Sequence, residues 1–214
     1  MKAPGGRGFT ALRLRMVEEQ LKPRGISDPD VIRAMLKVPR HLFVKPSQRA
    51  SAYDDCALPI GPDQSISQPY IVGLMLQALE LSRHDRVLEI GTGSGYGAAL
   101  LAELVAEVYS LEIDPSLSEK SRKLLSRLGY KNAHCIHGDG FLGLPEEGPF
   151  DRIVLSAAPQ NIPRALLRQL KSGGRMVLPV GVEAQVLVLL EKTPEGLKSS
   201  ELGMVRFVKM KGEG

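Results

Sequence analysis

Apolar residues in the second half of the chain recur in two alternating periods. Short apolar runs at Val87–Ile90, Val108–Leu111, Ala133–His137, Ile153–Leu155 and Met176–Leu178 read as buried strands. Helix-favouring stretches separate several of them: residues 96–105, a segment from Pro115 with Asp114 as cap and Gly129 as stop, and Ala165–Leu170. Repeated strand–helix alternation with short loops predicts an α/β fold, a doubly wound parallel sheet whose ligands bind at the carboxyl ends of the strands. After Gly181 the alternation stops. Val186–Leu190, the turn Thr193–Gly196 and Val205–Val208 read as an antiparallel meander added to that sheet.

The first 80 residues follow a different pattern. Met1–Gly8 is polar and glycine-rich and reads as frayed; Thr10 is a candidate cap for a helix through Leu12, Met16, Val17 and Leu21. Ser27 or Asp28 caps a second helix, with Pro29 in its first turn and Pro39 as its stop. Arg40 to Pro59 reads as loop with short extended pieces. Pro69 then sits where helix-starting prolines sit, which puts Ser67 and Gln68 at the N-cap of a helix through Leu79. Ser67 therefore has two readings, a capping hydroxyl and part of a carboxylate-binding helix start, and one residue can be both.

The chemistry concentrates in Glu89-Ile90-Gly91-Thr92-Gly93-Ser94-Gly95-Tyr96-Gly97, between the first parallel strand and its helix. Glycines let the backbone turn with positive φ and approach a ligand closely, as nucleotide-type cofactors require. The run also fits G-x-G-x-x-G/A, so on the glycines alone NAD stays open. Glu112 ends the second strand about 20 residues after Gly91, where an acid accepts ribose hydroxyls. The loop Gly138-Asp139-Gly140 closes the third strand and can hold an adenine edge.

Composition changes this picture little. The chain has 214 residues, 43% hydrophobic and 24% charged, which suits one substantial soluble unit. The formal charge of +4 comes without a basic run or an aromatic-interleaved basic stripe, so nucleic acid is not an expected partner. No apolar stretch has membrane-spanning length and the start does not read as a signal peptide, so the expected location is cytoplasmic with no membrane partner. Cys56 and Cys135 read as reduced, packed thiols; with the scattered His41, His84, His134 and His137 they show no metal-ligand spacing, and no metal is expected.

Several segments resemble the protein-L-isoaspartate O-methyltransferase family: Val38-Pro39-Arg40-His41-Leu42-Phe43-Val44, Ala52-Tyr53-Asp54-Asp55, Ala57-Leu58-Pro59-Ile60-Gly61, Leu178-Pro179-Val180-Gly181 and, most diagnostic, Ser65-Ile66-Ser67-Gln68-Pro69-Tyr70. The glycine run with Glu89 before it resembles the first motif of S-adenosylmethionine-dependent methyltransferases generally. The resemblance implies a Rossmann-like S-adenosylmethionine-dependent methyltransferase domain over residues 81–214. Residues 1–80 would be an extension packed on it that contributes the active-site segment, the whole being one compact unit and a monomer. It implies methyl transfer from S-adenosylmethionine to the free α-carboxylate of L-isoaspartyl residues in damaged proteins and peptides, after which the ester collapses unaided to a succinimide. It places the catalytic serine at Ser67, substrate contacts at Ile66, Ser67 and Val208, and cofactor contacts at Gln64, Ser65, Gly91, Gly93, Ser94, Glu112, Asp139 and Gly140. Lys209-Met210 stands where the family usually has Pro-Leu, on the segment expected to form the substrate side, and Ser65 replaces a common Thr while keeping the hydroxyl.

A carboxylate is ionised at pH 7, so attack on a sulfonium methyl requires no general base, and catalysis rests on alignment and exclusion of water. The competing readings are a methyltransferase acting on a small molecule or RNA, an NAD-dependent oxidoreductase, and a cofactor-binding module without activity.

Overall fold

The computed structural model describes residues 6–212. Met1–Gly5, most of the segment expected to fray, lies outside them. Helix α1 (Gly6–Arg15) runs on into a π-helical turn, Met16–Leu21, and a 3-10 turn, Lys22–Arg24. Thr10 therefore lies inside a helix that already starts at Gly6, and it is not an N-cap. Helix α2 (Pro29–Lys37) is capped by Asp28, whose Oδ1 accepts from the amides of Asp30 at 2.8 Å and Val31 at 3.1 Å. That choice between Ser27 and Asp28 satisfies two of the amides a helix start leaves unpaired.

Arg40–Leu42 and Pro46–Ser51 are 3-10 turns where loop with extended pieces is expected. A small hairpin follows, β1 (Leu58–Gly61) against β2 (Gln64–Ile66), before α3 (Pro69–Ala78). The N-cap of α3 is Gln68, with no side-chain cap bond. The capping role considered for Ser67 is thus not the one it plays.

The main sheet is built from β3 (Arg86–Ile90), β4 (Glu107–Glu112), β5 (Ala133–His137), β6 (Phe150–Leu155), β7 (Leu170–Val180), β8 (Gln185–Thr193) and β9 (Gly196–Val205). Their spatial order is β5-β4-β3-β6-β7-β8-β9, parallel as far as β7 and antiparallel beyond it. Chain direction across the sheet reverses between β3 and β6, and a crevice opens at such a switch point. Helices α4 (Tyr96–Ala102), α5 (Pro115–Arg127) and α6 (Arg164–Gln169) fill three of the parallel crossovers, and turns alone carry the chain from β5 to β6.

The expected α/β sheet with an antiparallel addition is present, with shifted edges. Helix α4 stops at Ala102, before residue 105, and β7 is much longer than Met176–Leu178. The last strand ends at Val205, where a strand over Val205–Val208 is expected. Gln185 explains the break there: its side chain accepts from the Phe207 amide at 2.6 Å and donates to the Phe207 carbonyl at 3.1 Å, taking both main-chain groups out of the ladder.

Burial alternates along the strands as period two demands. Val87, Val108, Val154, Val177 and Leu187 face the core shared with α2, α3 and α4. Leu88, Ile90, Leu111, Ile153 and Met176 face the one under α6. Met16, Leu21, Val31 and Met35 from the N-terminal extension belong to the first core, so its apolar stripe is buried against the sheet helices.

Candidate functional site

A cavity opens at the carboxyl ends of β3, β4 and β6. Glycine conformation makes its floor: Gly91, Gly93 and Gly95 have φ of 91°, 52° and 84°, values that L side chains adopt only under strain. The Gly91 amide donates to the Leu111 carbonyl at 2.8 Å and the Ser156 amide to that of Ile90 at 2.8 Å, which ties the loop to both neighbouring strands. Glu112, 3% exposed, accepts from the Gly93 amide at 2.8 Å through Oε2 and from the Asp114 amide at 3.0 Å through Oε1.

Of the residues expected at the site, Gln64, Ser65, Ile66, Ser67, Gly91, Gly93, Ser94, Glu112, Gly140 and Val208 all line this cavity. Asp139 does not. It lines a neighbouring cleft, its Oδ1 accepting from the Phe141 amide at 2.9 Å and its carboxylate lying beside Gly212.

Ser65, Ser67, Ser156 and Val208 also line a second cleft, which continues past Asp55, Cys56, Gln68, Ile71 and Phe207. They form a shared wall between two chambers. Residues 208–210 are held against that wall, the Ala158 amide donating to the Val208 carbonyl at 2.8 Å and the Met210 amide to the Ala158 carbonyl at 2.8 Å. Lys209 and Lys211 stand exposed at the rim.

Glu89 lines the cavity too, although residue patterns identify it only as part of a motif. It is 2% exposed, accepts from the Ser110 hydroxyl at 2.5 Å, and no Lys, Arg or His reaches it among the described residues. Ser110 and Thr92 are linked in turn, Oγ to Oγ1 at 2.6 Å. Burial, with repulsion from Glu112, pushes the Glu89 carboxyl up to about 8, against the opposing hydrogen bond from Ser110. The signal that finds it is its place on β3, pointing to the α4 side with the glycine loop overhead.

A carboxyl raised in the folded state stabilises below its ordinary range and loses that contribution as pH rises through the raised value. The melting temperature of the free protein is therefore expected to fall between about pH 5 and pH 8, and Glu89→Gln to flatten that slope. Parallel melting curves of the two proteins at several pH values check it; equal slopes would contradict the assignment.

The remaining ionisable candidates have structural partners. His41 stacks on Phe9 with centroids 4.0 Å apart and meets the Tyr53 hydroxyl at 2.8 Å, and desolvation lowers its pKa. His134 and His137 contact Glu107 and the Ile113 carbonyl. Cys135 is partly buried, its thiol pushed up to about 12 by burial, but Cys56 is exposed, because its loop turns outward at the mouth of the second cleft. The expectation of two packed thiols thus fails at Cys56.

Sheet order, glycine floor and acids at the strand ends together define a Rossmann-like protein with a nucleotide-type cofactor site. Comparison with known proteins narrows the class. The family model described as protein-L-isoaspartate(D-aspartate) O-methyltransferase matches residues 13–213. The chain is 54% identical over 206 residues to protein-L-isoaspartate O-methyltransferase 1 of Syntrophobacter fumaroxidans, covering 96% of each. It is 52% identical to the enzyme of the same name from Desulfosudis oleivorans, covering 96% of this chain and 93% of that one. A solved protein-L-isoaspartate O-methyltransferase superposes with a TM-score of 0.85 at 30% identity; 95% of this chain is covered, spanning 66% of that longer one. A Plasmodium falciparum protein described under the same family name, solved with S-adenosyl-L-homocysteine, gives a TM-score of 0.80 at 27% identity over 95% of this chain and 98% of the other. The chain belongs to the protein-L-isoaspartate(D-aspartate) O-methyltransferase family.

Proposed function

We propose that this protein transfers a methyl group from S-adenosylmethionine to the free α-carboxylate of L-isoaspartyl residues in damaged proteins and peptides. The observation that carries the reading is the shared wall, where the residues expected to hold the acceptor (Ser67, Val208) separate the glycine-floored cavity from a cleft open to a peptide. The chemistry of the donor set fits the cofactor. Two buried carboxyls, Glu89 and Glu112, line the cavity. Glu112 in that place suits ribose hydroxyls.

S-adenosylmethionine, when bound, supplies an electrophilic methyl group on a positively charged sulfur. Glu112, Gly91, Gly93, Ser94 and Gly140 would hold it, with Gln64 and Ser65 closing the cavity from the hairpin side and Asp139 supporting the adenine end from its own loop. Ser67 would orient one oxygen of the acceptor carboxylate, already ionised, so that no side chain has to remove a proton. Neither His41 nor His134 nor His137 lines the cavity, as that chemistry allows. Because anion and cation neutralise each other in the transition state, a partly dry, aligned site serves better than a polar one.

Residues 1–80 supply the acceptor segment and 81–214 the cofactor domain of one compact, monomeric unit. The main-chain groups of 205–210 that Gln185 and Ala158 leave unengaged would pair with peptides of varied sequence. Its place of action in this reading is the cytoplasm, and nucleic acid is not a partner. No helix among the described residues is long and apolar enough to cross a membrane.

The deciding experiment supplies labelled S-adenosylmethionine and matched isoaspartyl and aspartyl peptides. Base-labile label in the isoaspartyl peptide alone is the expected result, and equal labelling or none rejects the reading. Ser67→Ala is expected to lower kcat about 10-fold through lost alignment, with the fold intact. Rates unchanged from the parent would remove Ser67 from its role.

A further inference from the structure

Arg40 is fully buried, 0% exposed, and no carboxylate lies within ion-pair distance of it among the described residues. Its Nε donates to the Ala52 carbonyl at 2.8 Å and its Nη2 to the Ser67 carbonyl at 2.7 Å. Nη1 is buried with no hydrogen-bond partner, and the guanidinium carbon lies 4.9 Å from the centre of the Tyr96 ring. A buried cation with no acid beside it is costly, and packing alone would be served as well by an apolar side chain.

What an apolar side chain cannot supply is direction. The Ser67 carbonyl precedes the N-cap of α3 and belongs to no helix or strand ladder. The fork of Arg40 ties it to Ala52, at the end of the 3-10 turn Pro46–Ser51. Two further contacts reinforce the same junction: the Gln68 side chain donates to the Asp55 carbonyl at 3.1 Å, and Arg24, paired with Asp55 at 2.7 Å, lies 3.4 Å from the centre of the Tyr70 ring. The carbonyl direction of a residue is set by its backbone dihedrals, which also aim its side chain.

We propose that Arg40 is a positioning residue for methyl transfer: by gripping the Ser67 carbonyl from within the N-terminal extension, it aims the Ser67 hydroxyl at the wall between the two chambers. The inference rests on the role given to Ser67 above. Burial lowers the pKa of Arg40, opposed by the neighbouring Tyr96 and others, yet from so high a starting value the group stays a cation at neutral pH.

Arg40→Met keeps the apolar bulk and removes the buried charge, an exchange that cores often accept without loss of stability. The expected result is a folded protein whose kcat on an isoaspartyl peptide falls about 10-fold or more, while its affinity for S-adenosylhomocysteine by calorimetry stays within about threefold. Amide hydrogen exchange should quicken over residues 64–70 and not over 91–97. Arg40→Lys retains one donor and should recover part of the lost kcat.

Unchanged kcat with unchanged exchange in Arg40→Met overturns the proposal. So does loss of melting temperature, cofactor affinity and rate together in both variants, or failure of both to fold, since either assigns Arg40 to general stability. Ser67→Ala assayed alongside keeps the two ideas apart. If it alone leaves the rate intact, the reading of Ser67 fails, while selective loosening of 64–70 in Arg40→Met still reports the grip on the segment.

Discussion

Glu112→Ala is expected to weaken binding of S-adenosylhomocysteine by more than about 100-fold, because charge-assisted hydrogen bonds contribute about 1.5–3 kcal/mol each. The carboxylate accepts from the Gly93 and Asp114 amides, so it shapes the glycine floor as well as facing the cavity. Its loss leaves two amides at the floor without their acceptor and removes the group placed to take ribose hydroxyls. Titration calorimetry measures the affinity, and circular dichroism confirms that the variant is folded. Affinity within about threefold of the parent would mean that the floor forms without it.

The second large effect is steric. Gly97 has an ordinary helical backbone, yet a Cβ there would run into Oε1 of Glu89. Glycine is needed at this position for room, where Gly91 and Gly93 are needed for conformation. Gly97→Ala should cost about 1–3 kcal/mol, the usual range for overpacking, and at this chain length lower the melting temperature by roughly 3–10 °C. Cofactor affinity should fall with it, since Glu89 can retreat only toward Ser110 or into the cavity. A double-mutant cycle is the check: with Glu89→Ala already present, Gly97→Ala should cost much less, and full additivity would show that the two groups do not meet.

Gly97 also shows how far residue patterns reach. The glycine run, the acid ending β4 and the apolar strand cores carry signals that depend on neighbours in sequence, so the parallel sheet forms as read and ten of the expected site residues line one cavity. Tertiary placement is another matter. Arg40 reads as a loop cation and is fully buried, and Cys56 reads as packed and is exposed. Asp139 sits at the expected strand end, but it lines a neighbouring cleft and its carboxylate lies beside Gly212. In β9, Lys198-Ser199-Ser200-Glu201 shows no apolar alternation, because an edge strand with open faces needs none, and the apolar pattern therefore points to Val205–Val208, too late in the chain. The β1–β2 hairpin escapes for a similar reason, being four residues paired with three and held by its surroundings.

The walls of the reaction chamber come from segments far apart in the sequence, residues 64–67 and residues 208–211, the second held in place at Ala158. The glycine floor and the parallel sheet depend on neither segment for their hydrogen-bonded ladder. A chain cut before Val208 is therefore expected to fold its sheet, keep the floor and do no work, for want of a closing side.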